Sequence, residues 1–459
     1  MISTGFKQIE SGQRVPAQLE NYSMRNDIIL SRTRRRLLPT GNSNGIGPNQ
    51  PIMFNLKTSS EWLDAATAAI HFKVTVPTVA NVAGNAAVVP VLKPGGAVNI
   101  FKGFNLVCKG QQVENSLESG SSLQVWNALR SRLFYARERN ITNCQLTEGV
   151  WENVEGNSLY DSAFRGVSTT AVSNIVYDFS VPLKNITNFF NLERSYLPLF
   201  AIPMELKLTT NDLINAFFVT NDGTITANYI LDDVYISGDF LGMHEEVNTH
   251  LLKAAMENNV SFVYSTVFAM TANTQSSSLN IQTSLNSQNL QSVYILFNQQ
   301  SDGKKSYYPC CSLPGLFNPI TLEGPTYNMY IDGVPIFSND MKNISDSYSE
   351  LVKTTKNVNQ KYLEGAPDIS VNGFVNGFDD WDSNQYISDV ALTPIAFNLS
   401  RQLENHSMSG MDLSSVAGNI NISFMNLPAA VAQPTTLAHV YFHIIKELKL
   451  SQDFITIVN

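Results

Sequence analysis

The chain repeats itself, and that repeat limits the possible folds more than any single motif does. Residues 104–114 read FNLVCKGQQVE and residues 327–337 read YNMYIDGVPIF: an extended apolar run, a turn closing on glycine, and a resumed run. Phe104 aligns with Tyr327, Leu106 with Met329 and Gly110 with Gly333, each pair 223 positions apart. Asp332-Gly333 supplies the positive φ angles that a two-residue hairpin turn demands. The same spacing relates Ile70 in AAIHFKVTV to Val293 in SVYILFN. It also relates Val125 and Leu129 to Tyr348 and Val352, in two segments of helical spacing, 121–133 and 345–355. In the second of these, Ser347 and Glu350 have the spacing of a capping box. Further on, Phe179 matches Phe397 and PMELKL (203–208) matches NISFMN (421–426), both at 218, and Val234 matches Val440 at 206. An offset that only shrinks is what a duplication gives when the second copy has shorter loops.

The repeated unit is β. From residue 52 onward the chain runs in short alternating stretches punctuated by Gly, Pro, Asn and Asp, with Ile70, Phe72, Val74 and Val76 on one face of one stretch. Each copy holds roughly eight such stretches and one short helix, which is the jelly-roll class of antiparallel sandwich. The expected fold is therefore all-β: two tandem eight-stranded jelly-roll β-sandwiches, a double jelly roll, with a few short helices in loops. The expected division is a basic, flexible N-terminal arm at 1–50, a first roll at 51–241, an inter-roll linker at 242–259 and a second roll at 260–459. The arm is polar and rich in Gly and Asn, with one basic knot, Arg32, Arg34, Arg35 and Arg36.

Composition narrows the function. Charged residues are 15% of the chain, where about 25% is typical, so much of the surface is Asn, Ser, Thr and Gln or is hidden against partner chains. The net charge of −9 does not suit a general nucleic-acid binder. There is no run of about 18 apolar residues for a membrane helix, and the N-terminus lacks the apolar centre of a signal peptide. Cys108, Cys144, Cys310 and Cys311 show no metal-ligand spacing, and they read as free thiols of a reducing intracellular compartment.

Catalytic and metal motifs are weak. His439 and His443 are four apart, but Val440 stands where a zinc-protease motif needs Glu, and on a strand both rings serve the fold. Asp232-Asp233 and DDWD (379–382) could be paired carboxylates of a glycosidase or a calcium loop. Adjacent strand residues point to opposite faces, so the first pair does not share a site easily. SDGKK (301–305) reads as a hairpin tip and lacks phosphate-loop spacing. The reading is no enzyme, no cofactor, no metal and no small-molecule substrate.

Several stretches resemble the double jelly-roll major capsid proteins of icosahedral double-stranded DNA viruses. PIMFNLKTSSEWLDAATAAIHFKV (51–74) is similar to the family's opening strands. In 177–212, Pro182-Leu183 ends a strand and Leu197-Pro198-Leu199 leads into the next, which is the most specific likeness. DDVYISGDFLGMHEE (232–246) and AHVYFHIIKELKL (438–450) resemble the two closing strands. Relatives in the large-DNA-virus branch often carry Glu-Arg after the first closing strand. Here Glu245-Glu246 is followed by Val247, so the virophage or polinton-like kind fits better.

The resemblance implies a major capsid protein that trimerises into pseudo-hexameric capsomers tiling the facets of a virion. Its partners would be itself, then neighbouring capsomers, then minor and penton capsid proteins. Read from the residues themselves, the four arginines are either a solvated tail or an interior assembly arm whose charge meets an internal membrane, the genome or acidic patches on neighbouring subunits. The alternatives are a β-sandwich glycan-binding module or carbohydrate-active enzyme, and a host repeat protein that builds no shell.

Overall fold

The computed structural model describes residues 6–8, 14–16, 29–77, 91–92, 96–116, 123, 126, 129, 174–191, 196–218, 228–257, 260–287, 289–300, 323–359, 394–400, 410–414, 418–427, 435–450 and 455–458. Two sandwiches with one topology account for nearly all of them. The first contains β1 (Ile29–Leu37), β2 (Pro51–Leu56), β3 (Ala69–Pro77), β4 (Phe101–Cys108), β5 (Gln111–Asn115), β6 (Asn174–Pro182), β7 (Met204–Thr210) and β8 (Ile230–Met243). Helix α1 (Glu245–Met256) follows. The second contains β9 (Val260–Thr274), β10 (Leu279–Ser284), β11 (Leu290–Gln300), β12 (Glu323–Ile331), β13 (Val334–Pro335), helix α2 (Ile344–Asn359), β14 (Ile395–Asn398), β15 (Asn419–Met425) and β16 (Thr435–Leu450).

Strand order repeats among the eight core strands of each roll. The first sandwich stacks a sheet β1-β8-β3-β6 on a sheet β2-β7-β4-β5; the second stacks β9-β16-β11-β14 on β10-β15-β12-β13. Every pairing within these sheets is antiparallel, and this is the jelly-roll order in both halves. Side-chain alternation explains why the strands stack. Ile52, Phe54 and Leu56 of β2 are buried while their neighbours are exposed, and Met204, Leu206 and Leu208 of β7 do the same. The two inner faces meet through aromatic edges, Phe72 against Phe101 in the first roll and Phe297 against Phe424 in the second. Both hairpins that revealed the repeat turn through two positive φ angles: Lys109 at 44° and Gly110 at 79°, Asp332 at 49° and Gly333 at 82°.

The ladders correct part of the alignment. Ile70 lies opposite Val181 and Ile236, and Val293 lies opposite Phe397 and Phe442. The counterpart of Phe397 is therefore Val181, not Phe179. In the same way Leu206 opposite Leu106 corresponds to Ile422 opposite Met329, so β7 and β15 also lie 216 apart rather than 218. A slip of two residues keeps every side chain on its face, which is why the pattern alone could not see it.

Two further expectations change. The basic stretch is not a flexible arm: it is β1, hydrogen-bonded along β8 from Ile236↔Leu37 to Met243↔Ile29, so the first roll starts at Ile29 rather than at residue 51. Ahead of it, Phe6–Gln8 and Arg14–Pro16 pair with each other, and Arg14 pairs with Ser261 of β9. Nor do Ser347 and Glu350 form a capping box. Helix α2 begins at Ile344, and the buried Ser347 hydroxyl donates to the Asn343 carbonyl while accepting from Tyr327. Glu350 accepts from the backbone N–H of Asn398 and so ties the helix to β14.

The two rolls are packed together rather than strung on a linker. Helix α1 buries Leu251 and Ala255, and the Trp62 indole donates to Asn248 across 2.8 Å. Trp126 and Leu129, which follow β5 in the first half of the chain, are buried in the apolar cluster of the second roll. Conversely Val260, Phe262 and Tyr264 of β9 and Leu448 and Leu450 of β16 belong to the cluster of the first.

Candidate assembly surface

Each roll has one sheet face turned away from its own core. On the second roll that face carries Tyr294 of β11 and His439, Tyr441 and His443 of β16. The alternate residues, Val293, Ile295, Phe297, Val440 and Phe442, fill the sandwich interior. This outward face is covered from within the chain. Trp126 lies 5.1 Å from the Tyr441 ring and 6.4 Å from the Tyr294 ring, and both tyrosines are fully buried.

His439 and His443 point to one face with Tyr441 between them, as strand geometry requires. Among the described residues, neither ring nitrogen of His439 nor Nδ1 of His443 has a hydrogen-bond partner. Burial lowers both imidazoles to about 4, so both are neutral. No cluster of metal-binding side chains forms among the described residues.

The matching face of the first roll is polar. Arg32, Arg34 and Arg36 alternate along β1 and share a face with Asp239 and Ser237 of β8. Arg32 pairs with Asp239 at 2.6 Å and Asp64 at 3.3 Å. Arg34 donates to the Ser237 hydroxyl at 3.1 Å, and Ser237 in turn lies 2.6 Å from Nε2 of His71. Arg36 sits 4.5 Å over the ring of Tyr235, which stacks on His71 at 4.7 Å. Burial lowers the His71 pKa, and Arg34 and Arg36 push the same way against Asp178. Arg35 points to the other face, toward Glu61 at 2.6 Å and the ring of Phe240 at 5.7 Å. Among the described residues Arg34 and Arg36 have no carboxylate partner. The four arginines thus belong to one strand, with three on one face. Their 32, 34, 36 spacing is the strand signal. Its lack of apolar alternation hid it, because β1 is an exposed edge strand.

The other candidates do not converge on a reaction centre. Asp232 accepts from the Gly45 N–H and Asp233 pairs with Lys73, and the two sit within β8 at a bulge. A cavity of about 790 Å³ lies where β5 meets β9 and β16, lined by Glu114, Thr266 and Lys446. Glu114 is committed to the backbone N–H groups of Asn188 and Phe189. Cys108 is buried and free, with burial pushing its thiol up to about 12. Cys144, Cys310, Cys311, the 301–305 tip and the 379–382 carboxylates lie outside the described residues. Among the described residues no helix is long and apolar enough to cross a membrane.

No family model matches the sequence, and no curated protein does. Solved structures do match. The Faustovirus major capsid protein superposes with a TM-score of 0.58 at 10% identity, covering 92% of this chain and 91% of that one. A chain of the PBCV-1 virus capsid gives 0.56 at 11% identity, covering 95% and 98%. The mavirus major capsid protein gives 0.52 at 13% identity, covering 96% and 94%. The likeness spans both rolls and nearly the whole of each chain, so the chain has the double jelly-roll fold that these viral major capsid proteins share.

Proposed function

We propose that the protein is the major capsid protein of an icosahedral DNA virus, a structural subunit of the virion rather than an enzyme. The observation that carries this is the pair of rolls with one strand order, packed together in a single chain. Three such chains in a ring present six similar rolls, which is a nearly hexagonal tile, and hexagonal tiles cover flat facets. Closed rings are the usual way to bury a repeated patch, and obligate contacts of this kind bury several thousand Å², on the order of 2,000–5,000 Å². The low charged fraction suits a chain whose surface meets neighbours. Neighbouring capsomers and minor and penton proteins would complete the shell. The Glu245-Glu246-Val247 sequence supports a small virus of the virophage or polinton-like kind.

Light scattering on the purified protein tests this reading. The expected mass is three times 50.8 kDa at micromolar concentration, with hexagonal outlines in electron micrographs. A monomer at every concentration, with affinity for a sugar, would return the protein to the glycan-binding class.

A further inference from the structure

The two outward sheet faces are the same surface in two chemical versions, and the repeat says what should cover the bare one. Inside the chain, Leu123, Trp126 and Leu129 are buried, and Trp126 stands on Tyr441 and Tyr294 of the second roll. The 223-residue offset that aligns β4 with β12 carries Leu123, Trp126 and Leu129 onto Asp346, Ser349 and Val352 of α2. The same offset carries Tyr294 back to His71 and Leu296 back to Lys73. The 206 offset of the closing strands carries Tyr441 back to Tyr235 and His443 back to Ser237. Asp346 and Ser349 are exposed, and Val352, His71, Lys73 and Tyr235 are half-exposed. Apart from Ser237, which is buried like His443, the elements of the buried internal contact thus have uncovered counterparts, the donor on the second roll and the acceptor on the first.

We propose that helix α2 of one copy docks through Asp346, Ser349 and Val352 on the β1-β8-β3-β6 face of the next copy, at Tyr235, His71, Lys73 and Arg36. This rests on the capsid-subunit reading and specifies the contact that would close its ring. Three lines favour a second copy of this chain as the occupant. The contact already exists once, between the same two kinds of surface, as the Trp126 contact. Charge fits: Arg34 and Arg36 lack carboxylates among the described residues, and Asp346 brings one in the exposed first turn of α2. Polarity fits as well. The internal contact forms as the chain folds and can be aromatic, whereas a face that waits in water for a neighbour must stay polar to avoid off-target association. The contact runs head to tail, second roll onto first, and three internal plus three external steps make a closed ring of six.

The test is thiol cross-linking of the full chain carrying Tyr235→Cys and Ser349→Cys, with a short bismaleimide. Light scattering is run on the same sample, and the unsubstituted protein sets the background from its four native cysteines. The expected result is a trimer that yields covalent dimers and trimers on a denaturing gel, with no ladder above background in either single variant. A trimer without the ladder overturns this contact while leaving the capsid-subunit reading intact, and it shows that another chain or face covers the sheet. A monomer without the ladder overturns both. If Tyr235→Cys does not fold, Lys73→Cys takes its place. As a second readout, Asp346→Lys should raise the concentration at which half the protein is trimeric by on the order of tenfold, and adding Arg36→Asp should recover part of that loss. No change in either variant would count against the docked pose.

Discussion

Acid should weaken this protein through two histidines in the seam between its rolls. His439 and His443 lie on the central strand β16, 1% and 6% exposed, facing the first half of the chain. Burial holds both near 4 when folded, against 6.5 in an open chain. Between those values the unfolded chain binds protons that the folded protein refuses. Their contribution is therefore fully present above about pH 6.5 and is lost as the pH falls toward 4. At about 1.4 kcal/mol per pH unit, each imidazole costs about 2 kcal/mol at pH 5, and the pair about 4 kcal/mol. Urea unfolding followed by tryptophan fluorescence at pH 7.5 and pH 5 reads this directly. The comparison is the His439→Leu, His443→Leu double variant, which keeps the bulk and removes the titration. The natural protein should lose about 4 kcal/mol more than the variant between the two pH values. At pH 7.5 the variant should match or exceed the natural protein, because it also removes ring nitrogens buried without partners among the described residues. Equal losses in both proteins would show that these rings are solvated or bonded in solution, and the reasoning would fail.

Other expectations follow from single contacts. Trp126→Ala should cost about 3–5 kcal/mol and loosen the second roll against the first, seen as a split unfolding transition in calorimetry. Gly110→Ala and Gly333→Ala should each cost about 1–2 kcal/mol, and by similar amounts, since both sit at positive φ with open space around the missing Cβ; urea midpoints would show a mismatch. Replacing Arg32, Arg34, Arg35 and Arg36 with Ser should lower the melting temperature, because these side chains hold β1 to β8 and to Glu61; an unchanged melting curve would restore the flexible arm. Cys108 should resist iodoacetamide in the native state, and reductant should leave the melting temperature unchanged.

The sequence exposed what repeats with period two and hid what does not. Ile70, Phe72, Val74 and Val76 announce a strand because one face must be apolar, whereas β11 reads as a continuous apolar run because both of its faces are buried. The Gly110 and Gly333 turns were legible for a separate reason, since positive φ restricts residue choice. What failed was whatever depends on a partner in space. β1 has no apolar face to read: it is held by the ladder on β8 and by ion pairs made far along the chain. The Ser347-Glu350 spacing looked like a local cap, yet both side chains bond to other elements, Tyr327 and Asn398. The candidate surface was only half visible, because the arginines stood out but their face was set by pairing with Ser237 and Asp239.

Divergence between the two halves follows a spatial rule. Interior positions keep their character across the repeat: Leu106 and Met329, Leu206 and Ile422, Ile70 and Val293 are all fully buried. The outward positions change character instead. Asp232, half-exposed beside the Asp233 bulge, becomes the buried His439, half-exposed His71 becomes the buried Tyr294, and Ser237, buried but hydrogen-bonded to Arg34 and His71, becomes His443. Nothing in the sandwich requires that change, since the polar set sits on the same strands and differs in register only at the Asp232–Tyr235 bulge. A covering surface does require it. When Trp126 settled on β16, water left that face for good, and aromatic bulk there became favourable at about 25 cal/mol per Å² of apolar area. On the first roll the same positions still carry charge and hydrogen-bonding groups, so selection kept that face compatible with water for at least part of the protein's life. Among the described residues that face leaves Arg34 and Arg36 without carboxylates beside a stacked His71–Tyr235 pair, and the exposed Asp346 of α2 is the kind of group that would complete it.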